Sequence, residues 1–281
     1  MRTVQSVRLD TRWINLAALH FPADGGQRVI ALHGWLDNAA SFEPLAPLLP
    51  DLDILALDLP GHGLSDHRPP GQHYHFVDFV TDVIAAAEHV GWERFSLLGH
   101  SMGAGIASLI AASFPERIER LVLIEGLGPW GDDPKACASH LAEATRQILA
   151  HRESRRHYSS LETIVAARRQ AGDLGEQAAH RLVKRNTGQD ADGLFWRTDP
   201  RLRYRSPIYI TEEQVKGFLP CINAPTLFIR AAERDAPAQY NWDERETLID
   251  RLQVVKLRGG HHLHMGNPEP VAAAINRFFN A

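Results

Sequence analysis

Five residues, Gly99-His100-Ser101-Met102-Gly103, carry the spacing Gly-x-Ser-x-Gly, and their surroundings give that spacing a meaning. The preceding Arg94-Phe95-Ser96-Leu97-Leu98 reads as a short buried strand, and the following Ala104-Gly105-Ile106-Ala107-Ser108-Leu109-Ile110 suits a helix. A sharp turn between the two would hold Ser101 above a sheet edge with its hydroxyl exposed. Glycine at 99 and 103 omits the Cβ that would clash in such a turn. The chemistry on offer is nucleophilic attack on a carbonyl carbon, provided a base takes the hydroxyl proton.

The expected base lies in Gly259-Gly260-His261-His262-Leu263-His264-Met265. His261 directly follows the glycine pair, where the chain would leave a sheet and turn back over Ser101. His262 and His264 are read as a packing residue and a supporting polar residue. Histidine clusters also bind zinc, but no acidic or cysteine ligand stands near these at a usual spacing. Neither a metal nor a cofactor is therefore expected. His73-Tyr74-His75 is read as a surface segment.

Acyl transfer builds a negative oxygen that needs N–H donors aimed at it. Met102, the residue after the serine, is expected to supply one, and Trp35, after His33-Gly34, the other. The Trp35 indole either lines the pocket or packs beneath whatever lies above. Two residues are candidates for the acid that orients the histidine. Glu125 ends the apolar run 121–124, where a charge is costly to bury unless paired. Asp235 lies in Ala231-Ala232-Glu233-Arg234-Asp235, after a later apolar run. Glu125 is favoured, and Asp235 is the alternative.

These groups need a scaffold that gathers strand ends. Strands are read at 6–9, 14–20, 28–32, 53–58, 94–98, 121–124, 226–230 and 252–257. Helices are read from about residue 38 or 41, at 76–90, after Ser101 and at 270–280. Alternating strands and helices, with polar residues at strand C-terminal ends, imply a mostly parallel sheet covered on both faces, with its crevice beyond those ends. From 131 to 219 the sequence turns to Arg, Ala, Gln and Glu, with no convincing strand. Helices are expected there at 141–151, 161–170, 177–185 and 211–219, the last with a capping-box start. The arginines of this stretch are read as a solvated face. Its aromatics, Trp130, Phe195, Trp196, Tyr204, Tyr209 and Phe218, either line an apolar pocket or pack the stretch onto the core, with packing favoured for most.

Composition narrows the class further. The chain has 281 residues, 44% hydrophobic and 23% charged, which is ordinary for a soluble globular protein. A net charge of −4 argues against nucleic acid or an anionic membrane as partner. Cys137 and Cys221 are expected to be free thiols of a reducing compartment. Met1-Arg2-Thr3-Val4-Gln5-Ser6 lacks the apolar run of a signal peptide, and no segment reaches membrane-spanning length, so the cytoplasm is the expected location.

The chain resembles the α/β-hydrolase superfamily, and within it the branch of serine hydrolase-like proteins. The resemblance rests on Leu32-His33-Gly34-Trp35-Leu36-Asp37-Asn38-Ala39, Asp58-Leu59-Pro60-Gly61-His62-Gly63-Leu64-Ser65, Gly99-His100-Ser101-Met102-Gly103, Leu123-Ile124-Glu125-Gly126-Leu127-Gly128-Pro129 and Gly260-His261-His262-Leu263-His264-Met265. It implies an α/β-hydrolase fold, a mostly parallel eight-stranded sheet with helices on both faces and an inserted helical cap. On that plan residues 1–128 and 221–281 form the core and 129–220 the cap. It implies Ser101 as nucleophile, Trp35 as an oxyanion donor, and His261 as the histidine a short step before Pro268. The family's acid often follows the later strand in a Gly-x-x-Asp pattern, from which this chain departs, since Asp235 falls late and no glycine precedes it. Some haloalkane dehalogenase relatives place the acid where Glu125 stands. Those enzymes and the epoxide hydrolases use an aspartate nucleophile, so Ser101 speaks against both chemistries.

The expected function is cofactor-independent hydrolysis of a small carboxylic ester or thioester through an acyl-enzyme. The alternatives are a C–C bond hydrolase of the same fold and a low-turnover ligand-binding protein that keeps the site.

Overall fold

The strands form because their side chains satisfy two apolar faces at once. In β3 (Gln27–Leu32), Val29 and Ala31 pack on one side of the sheet while Ile30 and Leu32 pack on the other. The same alternation runs through β4 (Leu52–Asp58), where Ile54 and Ala56 face opposite to Leu55 and Leu57. Burial on both faces is what near-continuous apolar runs predict for parallel strands.

A computed structural model describes residues 3–172, 174–232 and 241–281 of the chain. β1 (Gln5–Asp10) and β2 (Asn15–Phe21) form an antiparallel hairpin, and β2 also pairs antiparallel with β4. From β4 the sheet runs parallel through β3, β5 (Phe95–His100), β6 (Ile118–Ile124), β10 (Thr226–Ala231) and β11 (Leu252–Leu257). The expected mostly parallel, eight-stranded sheet is therefore present. One face is covered by α1 (Asp78–His89) and α2 (Met102–Ser113), through Phe79, Val83, Ile106 and Ile110. The other is covered by α9 (Pro268–Phe279), through Val271, Ile275 and Phe278, and by turns around Phe42 and Leu45. The helix expected near residue 38 or 41 is a single 3-10 turn, Ala39–Phe42, whose first N–H groups are capped by the Asn38 side chain.

Between β6 and β10 lie α3 (Cys137–Ala150), β7 (His157–Tyr158), α4 (Leu161–Gln170), α5 (Glu176–Asn186), β8 (Thr187–Asp190), β9 (Gly193–Trp196) and α6 (Glu212–Phe218). The expected helices are present, including the Thr211–Gln214 capping box. The expectation of no strand is corrected. β7, β9 and β8 form a small antiparallel sheet, with Gly193 at φ 128° closing the β8–β9 hairpin. These strands are two to four residues long, and β7 and β8 are not apolar, so tertiary pairing overrides composition there. The Asp192-Gly193 pair was the readable signal for them. The segment has its own small core, built from Ile164, Leu182 and Val183 among others, and Met265 inserts into it. α7 (Trp242–Glu246) and α8 (Leu263–Gly266) complete the described elements. Among the described residues no helix is long and apolar enough to cross a membrane, and both cysteines are exposed and unpaired.

The β5–α2 junction is built on close approach. Ser101 sits at φ 51° and ψ −113°, a left-handed conformation that costs a non-glycine residue about 1–3 kcal/mol. A Cβ on Gly99 would lie 2.5 Å from the Ala104 Cα, and one on Gly103 would lie 2.1 Å from the Leu32 carbonyl oxygen. Neither neighbour is a flexible side chain that can step aside. Gly103→Ala is accordingly expected to destabilise the fold by about 3 kcal/mol or more. Urea unfolding monitored by circular dichroism checks this, and an unchanged midpoint would show that the turn relaxes.

Candidate active site

Three strand ends meet above this junction. Ser101 leaves β5, its N–H donating to the Ile124 carbonyl at 2.9 Å. That bond fixes the end of β6, and the next residue, Glu125, turns out of the sheet at φ 53°. The Glu125 N–H donates to the Ile229 carbonyl at 3.0 Å, and its Oε1 accepts the Ala231 N–H at 2.6 Å. The carboxylate is thus anchored by the backbone of β10 and is almost wholly buried. Its Oε2 stands 3.3 Å from His261 Nδ1. His261 Nε2 is 2.9 Å from Ser101 Oγ. With Nδ1–H directed at the carboxylate, Nε2 carries the lone pair that faces the serine hydroxyl. Ser101, His261 and Glu125, singled out in the sequence, are brought together in one line. Asp235, the alternative acid, lies outside the described residues.

The loop carrying His261 is fastened by residues not foreseen as part of the site. His100 Nε2–H donates to the His261 carbonyl at 2.8 Å. His262 Nε2 lies 3.1 Å from Asp37 Oδ2, and the Arg168 guanidinium donates to Asp37 Oδ1 at 2.7 Å. Asp37 is fully buried, and these positive and donor neighbours hold its carboxyl well below the usual range against the opposing effect of burial. The His264 ring packs 4.2 Å from His100 and 5.7 Å from Phe42, centroid to centroid, while His262 makes the polar link, the reverse of the order in which the two roles were expected. Asp37, His100 and His262 present ligand atoms within 4.8 Å of one another, so an acidic neighbour to the histidines does exist, across the fold rather than along the chain. Arg168 already places a fixed positive charge on that carboxylate, which opposes a second cation there.

Further carboxylate anchoring holds the neighbouring loops. Asp58 at the end of β4 accepts the Ala39 and Leu64 N–H groups, each at 2.8 Å, and a two-point contact from Arg185 Nε at 3.0 and 2.9 Å. His33 donates from Nδ1 to the Gly34 carbonyl at 2.7 Å and accepts the Leu59 N–H at Nε2, 3.0 Å away, a pairing that suits only the neutral ring. The adjacent turn, Gly34 to Asp37, closes with the Asp37 N–H on the Gly34 carbonyl and has Leu36 at φ 61°. Trp35 is the second residue of this turn, and Met102 is the first of α2, where an N–H has no carbonyl one turn earlier to receive it.

Ser101, His261 and Trp35 open onto a cavity of about 1800 Å³ roofed by the segment between β6 and β10. Of the two roles envisaged for the Trp35 indole the structure shows the first: it lines the cavity, stays half exposed, and donates to the Leu202 carbonyl at 3.1 Å. Phe195 and Trp196 also line the cavity, whereas Phe218 packs on the core and Trp130 is largely exposed. His73 and His75 are half-buried, and Tyr74 between them donates to Asp199 at 2.7 Å, so this segment is a strut and not open surface. Several arginines read as a solvated face stand in the cavity wall.

A family model described as alpha/beta hydrolase fold matches residues 27–268. The chain is 30% identical to serine hydrolase-like protein 2 of Homo sapiens, over 98% of this chain and 94% of the other. The crystal structure of a hypothetical protein from Pseudomonas aeruginosa PAO1 is similar at a TM-score of 0.90 and 41% identity, covering 98% of each chain. A thioesterase domain from the curacin biosynthetic pathway shares the fold at a TM-score of 0.86 and 22% identity, covering 97% of this chain and 99% of that one.

The buried histidines carry a pH consequence. Burial pushes His33 down to about 4 and His62 and His264 down to about 3, and His100 well below its ordinary value. Between pH 6.5 and about 4 the unfolded chain therefore binds protons that the folded chain refuses. Stability falls as pH falls through this window, by about one to two kcal/mol per pH unit for each such histidine. Urea midpoints measured from neutral pH down to pH 5 test this; a flat profile would mean that these rings take up protons in the folded state.

Proposed function

Because the chain belongs to the alpha/beta hydrolase fold family, we propose that it is a serine hydrolase cleaving a carboxylic ester or thioester through an acyl-enzyme. The observation that carries the reading is the unbroken line from Ser101 Oγ to His261 Nε2 and from His261 Nδ1 to Glu125. A hydroxyl poised on an imidazole that a buried carboxylate orients is the arrangement nucleophilic acyl transfer requires.

In this mechanism Ser101 Oγ attacks the substrate carbonyl carbon while its proton passes to His261 Nε2. The carbonyl oxygen becomes an oxyanion, held by the Met102 and Trp35 N–H groups. Collapse of the tetrahedral intermediate breaks the bond to the leaving group, which takes the proton from His261. Water then enters, His261 removes its proton, and a second collapse returns the acid product and the free serine. Glu125 keeps Nδ1 protonated and stabilises the imidazolium in both halves. His100 and Asp37 act on none of these atoms; they position the loop that carries His261. The segment over the cavity serves as a cap that shapes the acyl or alcohol site.

A fluorophosphonate probe is expected to add once to the wild type and not to Ser101→Ala, read by intact mass. Ser101→Ala should lose at least about three to four orders of magnitude in kcat/KM on activated esters, and Glu125→Gln nearly as much. Asp235→Asn should retain most of the activity. The reverse order for the two acids would move the acid role to Asp235. A folded wild type that takes no label would leave a ligand-binding protein as the better reading.

A further inference from the structure

The cavity that holds Ser101 and His261 has a charge that the chain as a whole does not. The protein has 30 basic residues against 34 acidic ones. Among the described residues lining this cavity there are seven arginines and four carboxylates. The carboxylates are largely taken: Asp37 by Arg168 at 2.7 Å and Asp199 by Arg201 at 2.7 Å. Asp66 lies 3.5 Å from Arg8 and accepts from Asn15 at 2.8 Å. Among the described residues Arg156, Arg197 and Arg203 stand in the wall with no carboxylate partner.

Two of these three flank the same end of the small sheet. β7 and β9 pair antiparallel with His157 opposite Phe195, so Arg156 and Arg197 leave the sheet at the same end. Arg156 lies against the Tyr158 ring at 5.1 Å, which braces its guanidinium without neutralising it. Arg203 ends the 3-10 turn Pro200–Arg203, whose partner Leu202 receives the Trp35 indole N–H. Glu153 is the fourth carboxylate of the wall, so the cavity keeps an excess of positive charge, and such an excess in a cleft concentrates ligands of the other sign. The cavity, at about 1800 Å³, also exceeds what a small acyl ester fills.

Resting on the serine-hydrolase reading, we propose that the substrate is an ester or thioester with an anionic arm, a carboxylate or a phosphate, bound by Arg156, Arg197 and Arg203 away from the carbonyl that Ser101 attacks. The arm is not consumed; it orients the substrate and raises its occupancy of the site.

Two matched pairs test the charge and separate its sources. Mono-p-nitrophenyl adipate against p-nitrophenyl hexanoate tests the carboxylate, and hexanoyl-coenzyme A against hexanoyl-N-acetylcysteamine tests the phosphate. The anionic member of at least one pair should be favoured by about tenfold or more in kcat/KM. The preference should shrink as salt rises and the screening length drops from about 10 Å to about 3 Å. Combined Arg156→Gln, Arg197→Gln and Arg203→Gln should bring the anionic member down to its neutral partner. Equal rates within both pairs, or a preference that survives the triple substitution, would overturn the proposal. Calorimetric titration of Ser101→Ala with the same coenzyme A thioester and with adipate, with and without the triple substitution, decides the charge question independently of turnover. Normal probe labelling and neutral-ester hydrolysis without any anionic preference would end this proposal alone, whereas absence of labelling would end the hydrolase reading.

Discussion

The hydrogen bond from the Ser101 N–H to the Ile124 carbonyl sits at the centre of the site's geometry. It holds the serine backbone at φ 51°, ends β6 at the same level, and leaves Glu125 as the first residue beyond the sheet. The missing Cβ of Gly103 lets the first turn of α2 lie directly against the Leu32 carbonyl at the end of β3, and thereby close to the Trp35 turn. Ser101, Glu125, Met102 and the Trp35 turn are therefore placed by one packed junction of three parallel strands. The strain in that turn is small beside the burial of the strands that enforce it, since Ile30, Leu32, Leu97, Leu98, Val122 and Leu123 are all fully enclosed.

The imidazole cannot be placed in the same way, because it arrives on a loop. Its position is over-determined instead. Leu263 is buried in the core beneath the sheet and Met265 in the small core of the intervening segment. Between them His262 is tied to Asp37, and the His261 carbonyl is tied to His100, the residue directly before Ser101. A shift of the loop must break contacts in two cores and two polar links together. A buried, neutral ring such as that of His100 suits this purpose, since it has one donor and one acceptor and demands no counter-charge.

What was legible in the sequence was legible because it was local. Gly99 and Gly103 flank Ser101 within one turn, Glu125 ends its own strand, and His261 follows a glycine pair. Short apolar runs likewise disclosed six strands of the main sheet, and alternation disclosed the two of its hairpin. Asp37 was not read as part of the site, because its partner His262 is 225 positions away and nothing in the turn announces the contact. The small sheet escaped because Thr187–Asp190 has a turn's composition and pairs only through its neighbours. The arginines of the intervening segment are mostly exposed, as read, but their place on a cavity wall was not legible for a related reason. Sequence shows that they are charged, but only the fold shows that three of them face a cavity without carboxylates of their own.

The intervening segment meets the sheet at two buried carboxylates, Asp37 and Asp58, which receive Arg168 from α4 and Arg185 from α5. Asp37 lies in a loop of the sheet and Asp58 ends β4, and both guanidiniums belong to the insertion. The scaffold thus behaves as a socket with two keyed pins. A foreign insertion grafted between β6 and β10 would have to offer a guanidinium at each pin, or leave a carboxylate out of water with no counter-charge, a defect that costs about 3–5 kcal/mol. Exchange of the roof between relatives is thereby limited by charge registration more than by length. A chimaera that carries both arginines has a route to assembly that one chosen by helix count alone lacks.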